Sequence, residues 1–220
     1  MKKTIVIIGA AGNMGSAIAH SLAHAKYRIL LMDRNSEKSQ AVYNSIKILN
    51  PEADLEIVNC AYESSWEADI IIPAVWYQDQ ESVAQKIKEI VTGKIVLSIS
   101  NPLNESFDGL LTSSDTSAAE ELQKLLPHSK IVKAFNTTFA ADFKEPQIGG
   151  IKVDSFIAGD DADAVTTIAE MVKDAGFNPL HVGNIKTSRT LEGMMLLLIG
   201  LSLKNDYKWH AGFKILHENA

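Results

Sequence analysis

The chain has 220 residues, 46% hydrophobic and 22% charged, an ordinary balance for a folded protein able to bury a sizeable core. Its formal net charge of −6 argues against a nucleic-acid-binding surface, and a single cysteine, Cys60, leaves no internal disulfide and suits a reducing cytoplasm. The most apolar stretch, residues 194–203, falls short of the roughly 20 residues that cross a bilayer, so no membrane association is expected.

In chain order, short β-branched runs alternate with helical segments. Strands are predicted over residues 4–8, 28–32, 55–58, 70–75, 94–99 and 131–135, and their unbroken apolar runs suit burial on both faces of a sheet. Helices are predicted over 14–25, 37–49, 80–91 and 118–126. The last opens on the capping-box pair Ser117 and Glu120, and Gly93 stands just past the third, where a left-handed residue ends a helix. Strands over 155–158 and 179–182 flank a helix over 163–175, and a final helix runs from about 189 to 204. The expected fold class is α/β: a Rossmann-like, doubly wound, mostly parallel sheet with a short C-terminal helical extension. No repeat or linker interrupts it. One domain over 1–220 is expected, with a nucleotide-binding core over 1–183 and the extension over 184–220.

The loop Gly9-Ala10-Ala11-Gly12-Asn13-Met14-Gly15 lies directly between the first strand and the first helix. A dinucleotide pyrophosphate needs close backbone approach, which Gly12 permits, while Gly15 lets the helix pack against its strand. The helix N-terminus adds amide hydrogens and a positive dipole end. Asp33 ends the second strand, 21 positions after Gly12, where a carboxylate can accept from both ribose hydroxyls of NAD. Arg34 beside it can instead grip the 2′-phosphate of NADP, so the cofactor is NADP or NAD.

Ligands of open parallel sheets bind beyond the carboxyl ends of the strands. There the sequence also places Ala74-Val75-Trp76-Tyr77, then Asn101 before Pro102, then Asn136-Thr137. These groups can orient a nicotinamide amide, and Trp76 or Tyr77 can flank a planar ring. Other features point away from chemistry. Tyr43 and Lys47 have a Tyr-x-x-x-Lys spacing, but on the helix after the second strand, where no catalysis is expected. His20 and His24 share a helix face expected to look to solvent, without an acidic third ligand, so no metal is expected. Residues 191–203 are apolar around the whole helix and should be buried on all sides. A homodimer in which this tail helps roof the site accounts for that.

The motifs together resemble the NADP oxidoreductases dependent on the deazaflavin coenzyme F420. The likeness rests on the glycine loop, on Ala68 through Trp76, Ser100-Asn101-Pro102-Leu103, Ser117 through Gln123, Val132 through Thr137, Ala158 through Asp161 and Ser188 through Glu192. It implies a nicotinamide held by the glycine loop, by the segment after the fourth strand and by Asn136-Thr137, with a planar redox acceptor of deazaflavin or flavin type stacked against it. Hydride then passes directly between rings and needs alignment rather than an acid or base, consistent with finding no catalytic group in the sequence. Two positions depart from the family pattern: Asp33 replaces a small hydroxyl residue before the arginine, and Trp76 replaces a proline. Two other readings stand beside this one. One is a nucleotide-binding regulatory sensor without catalysis. The other is an imine, ketone or hydroxyacid reductase, because Gly200 through Asn205 resembles the catalytic lysine segment of β-hydroxyacid dehydrogenases, with Lys204 as the lysine.

Overall fold

A computed structural model describes residues 2–218. Its first strands are β1 (Lys3–Ile8), β2 (Tyr27–Met32), β3 (Asp54–Val58), β4 (Ile70–Pro73), β5 (Ile95–Ser98) and β6 (Lys130–Lys133), followed by β7 (Gln147–Ile148), β8 (Ile151–Lys152), β9 (Asp154–Gly159) and β10 (Asn178–Gly183). Eight of them form one sheet in the order β3-β2-β1-β4-β5-β6-β9-β10. The first six run parallel. β9 then pairs antiparallel with β6, and β10 runs parallel to β9. This is the doubly wound order, and the expected fold class is borne out.

The helices are α1 (Asn13–Leu22), α2 (Ser36–Leu49), α3 (Ala61–Glu67), α4 (Tyr77–Ile87), α5 (Ala118–Leu125), α6 (Ala162–Asp174) and α7 (Ser188–Asn205). Alternate residues of each strand face opposite sides of a sheet. Ile5 and Ile7 of β1 meet α1, α2 and α6 in one core cluster. Val6 and Ile8 meet α3, α4 and α5 in the other. Both faces are covered, which is why these strands read as unbroken apolar runs.

Several boundaries differ from the sequence expectation. α1 stops at Leu22 rather than 25, because a tight turn (Ala25 N to Leu22 O, 3.0 Å) leads at once into β2. β4 ends at Pro73, two residues early, and α4 starts at Tyr77, earlier than predicted, then ends before residue 91. Gly93 does take a left-handed φ of 75°, but it follows a separate turn and hands its amide to His128 O. The short helix α3 and the β7–β8 hairpin carry no predicted counterpart. The hairpin turns on Gly149 and Gly150, both with positive φ, a pairing that fits a two-residue turn. His20 is not solvent-facing: its ring nitrogens reach Ser16 O (2.8 Å) and Ser45 Oγ (2.9 Å), tying α1 to α2.

α7 is another correction. Leu191, Met195, Leu198 and Ile199 are buried, but Leu197, Leu201 and Leu203 are exposed and nothing approaches Gly193 or Gly200. Within the single chain the helix is covered on one side only. Beyond it, Asp206 turns left-handed and the tail folds back onto the start of β9. Phe213 O accepts from Asp154 N, and the Asp154 carboxylate takes Lys214 Nζ and Ile215 N, each at 2.7 Å. His210 meets the buried Asp142 at 3.0 Å, while Trp209 packs edge-on against Phe139. Burial pushes the Asp142 carboxyl up to about 6, against the pull of the Phe139 amide and His210.

Candidate functional site

The topological switch falls between β1 and β4, whose following helices leave toward opposite faces of the sheet. The glycine loop is built tightly into that crevice. At Gly9, with φ +92°, a Cβ would stand 2.4 Å from Ala74 O; at Gly15 it would stand 2.2 Å from Gly9 O. Only glycine fits either place, so the first couples the loop to the segment after β4 and the second seats α1 against it. Ala10 is fully buried, and its amide joins that of Gly9 on Met32 O. Gly12 and Asn13 are exposed, and Met14 packs half-buried on the core. α1 has no capping side chain and no acid in its first turn. Its leading amides are therefore free to meet an anion, whereas Asn35, Ser117 and Asp161 cap α2, α5 and α6 from within the chain.

Asp33 is engaged on both oxygens: Oδ2 accepts from Ala11 N (3.1 Å) and Oδ1 from Asn35 N (3.0 Å). The carboxylate thus links the end of β2 to the glycine loop and stands beside it with a fixed orientation. Arg34 is exposed, its guanidinium 3.4 Å from Asp79 Oδ1 in the first turn of α4.

Across the crevice, Ala74 and Val75 line the β4 exit beside Gly9. Trp76 is 67% exposed and closes no core. Tyr77 donates to Glu121 Oε2 at 2.5 Å, and burial together with that bond raises its pKa to about 12, keeping it a proton-bearing donor tied to α5. Asn101 and Asn136 bond reciprocally: Asn101 Nδ2 donates to Asn136 O, and Asn136 Nδ2 to Asn101 Oδ1, both at 2.9 Å. Asn136 Nδ2 also reaches Leu191 O on α7 (3.0 Å). The buried Asn136 Oδ1 and Thr137 Oγ1 have no partner among the described residues. Free amides at the start of α1 and unpaired buried acceptors at Asn136 and Thr137 suit a dinucleotide.

Two residues the sequence reading missed lie under this site. Lys133 and Glu192 form a fully buried ion pair of 2.6 Å. Each carries a readable signal, a cation within the apolar run 131–135 and a lone acid in an apolar helix. Tyr43 and Lys47 stay structural: Lys47 Nζ donates to Pro51 O and Ala53 O beyond the end of α2. No cluster of potential metal ligands occurs among the described residues. Cys60 is a half-buried free thiol at the start of α3.

Residues 4–102 match the family described as NADP oxidoreductase, coenzyme F420-dependent. The F420-dependent NADP reductase of Methanocaldococcus jannaschii is 29% identical over 215 residues, 93% of this chain and 94% of that one. The enzyme of the same name from Methanothermobacter marburgensis is 26% identical over 219 residues, 96% and 97% of the two chains. Among solved structures, a candidate F420-dependent NADP reductase from Arthrobacter sp. FB24 superposes with a TM-score of 0.83 at 24% identity, covering 99% of this chain and 100% of that one. The resemblance read from the motifs holds at the level of whole chains. No described helix is long and apolar enough to cross a membrane.

Proposed function

We propose that the chain is an NAD(P)-dependent oxidoreductase that moves a hydride directly between a nicotinamide and a planar acceptor of deazaflavin or flavin type. The observation that carries this reading is the crevice between β1 and β4, where the glycine loop fits against Ala74 and α1 leaves its first amides free. Two relatives bearing the name F420-dependent NADP reductase support it along nearly the whole chain.

When bound, the nicotinamide supplies the hydride. The protein's residues bind, orient and exclude water. Gly9, Ala10, Gly12, Asn13, Met14 and Gly15 take the pyrophosphate. Asp33 and Arg34 take the adenosine ribose or its phosphate. Ala74, Val75, Trp76 and Tyr77 wall the ring half, where Asn101, Asn136 and Thr137 offer polar contacts. Direct transfer needs rings held in van der Waals contact and no protein acid or base. The same reading takes residues 1–183 as the nucleotide-binding core and 184–220 as an extension of one unit. It places the protein in the cytoplasm and pairs two chains through the exposed α7 face around Leu197 and Leu201. A monomeric mass by light scattering at micromolar concentration would remove the dimer from this account.

Lys204 does not favour the hydroxyacid-reductase alternative. It is exposed in the last turn of α7, twelve residues and roughly 18 Å along the helix from Glu192 at the site. Stopped-flow mixing of protein-bound NADPH or NADH with deazaflavin, flavin and quinone acceptors tests the main reading. Rapid oxidation by a planar acceptor is expected. Tight cofactor binding with no oxidation by any of them would identify a sensor instead.

A further inference from the structure

Lys133 closes β6 and is wholly buried. Its ammonium donates to Ser100 O (2.5 Å) and Glu192 Oε1 (2.6 Å), while Glu192 Oε2 accepts from Ala118 N (3.0 Å), the first amide of α5. Burial lowers the Lys133 pKa, and the facing carboxylate opposes that shift. A buried ion pair of this kind adds little stability over two well-packed apolar side chains, because desolvating both charges offsets their attraction. Stability alone does not account for it.

Its position does. Ser100 immediately precedes Asn101; Lys133 stands three residues before Asn136 at the same exit from β6; Glu192 follows Leu191, whose carbonyl holds Asn136. Ala118 O in turn accepts from Gln80 Nε2 of α4, the helix that begins at Tyr77. One pair therefore joins the exits of β5 and β6, the starts of α5 and α7, and, through Gln80, the wall after β4. Among the described residues, no side-chain hydrogen bond connects this network to the glycine loop or Asp33. The pair thus braces the ring half without a bond to the glycine loop, while the adenosine half meets the wall after β4 where Arg34 lies 3.4 Å from Asp79 and Gly9 abuts Ala74.

We infer that Lys133 and Glu192 are positioning residues for hydride transfer: without touching cofactor or acceptor, they set the placement of Asn101 and Asn136 against the nicotinamide. The inference rests on the oxidoreductase reading above. It predicts that loosening the pair spoils alignment while binding of the adenosine half stays intact.

The informative variant is the double substitution Lys133→Met/Glu192→Leu, which leaves neither charge stranded. Affinity for ADP-ribose and 2′-phospho-ADP-ribose, the melting temperature and single-turnover oxidation of NADPH are measured on the full chain. Binding and melting are expected to stay near wild type while transfer slows by at least about tenfold, with a larger primary isotope effect from 4-deuterated NADPH. Transfer at the wild-type rate in the folded double variant overturns the positioning role alone. A wild-type chain that transfers hydride to none of the acceptors overturns the oxidoreductase reading and this role with it. If the double variant does not fold, Glu192→Asp carries the test. It keeps the charge but shortens its reach, so several-fold slower transfer at unchanged ADP-ribose affinity is expected, and an unchanged rate overturns the proposal.

Discussion

The two halves of the crevice are made from different materials. The adenosine half is built from backbone: glycines that admit no Cβ, free amides at the start of α1, and a carboxylate locked onto the loop by Ala11 N and Asn35 N. The ring half is built from side chains far apart in the chain, with Asn101, Asn136 and the Lys133–Glu192 pair all drawn onto α7. Backbone construction tolerates almost no substitution at its close contacts, because there is no side chain to yield. Side-chain construction fails by degrees. The first half should lose binding when altered, and the second should lose rate.

The largest effect is expected at Gly15→Val, where the new Cβ would collide with Gly9 O; NADPH affinity by fluorescence titration should fall at least about 100-fold. Affinity within a few-fold of wild type would break the backbone side of the comparison. Next comes the tail, where His210 meets Asp142. Asp142, raised from 3.8 to about 6, binds its proton more tightly in the native state than in the unfolded chain. Its contribution to stability is therefore fully present below about pH 4 and is lost as pH rises through about 6, on the order of 2–3 kcal/mol. Urea melts between pH 4.5 and 7 should show a flatter dependence in Asp142→Asn, and equal slopes would remove the carboxyl from that role.

A smaller effect is expected at Asn136→Ala. Single-turnover transfer should slow about tenfold while ADP-ribose binding is unchanged, since the lost bonds reach only Asn101 and Leu191. Weakened ADP-ribose binding would show that the two halves are not independent. The smallest change is expected at Asp33→Ser, which should move the NADPH-to-NADH affinity ratio about fivefold toward NADPH, as loss of one ribose hydrogen bond implies. An unchanged ratio in paired titrations would show that Asp33 serves the loop and does not read the ribose.

The same contrast explains what could be read from the sequence. The strands of the parallel sheet and the glycine loop were legible because each signal is local: an unbroken apolar run, or three glycines between one strand and one helix. Asp33 was legible as a position, but its grip on Ala11 N was not, because that bond joins residues of two different strand exits. Lys133 and Glu192 escaped notice for a stronger reason. Each is a single charge whose meaning depends on a partner 59 positions away. The β7–β8 hairpin was missed although Gly149-Gly150 is a turn signal, because strands of two residues show no periodicity. α7 misled in the other direction: its composition speaks for burial, yet the single chain covers only one face of it.

The buried pair also decides what kind of cover α7 is. A helix that swung aside to admit a substrate would have to separate an ammonium from a carboxylate inside the protein, at a cost of several kcal/mol per turnover. Such a cover behaves as fixed masonry, not as a door. Traffic to and from the ring half must then pass a different wall. The irregular run 102–116 leaves the same side after β5, held by the Leu103–Leu110 bridge, by Leu111 N on Pro102 O and by the bonds of Asn104, and it seats Leu103 against Phe139 and α7.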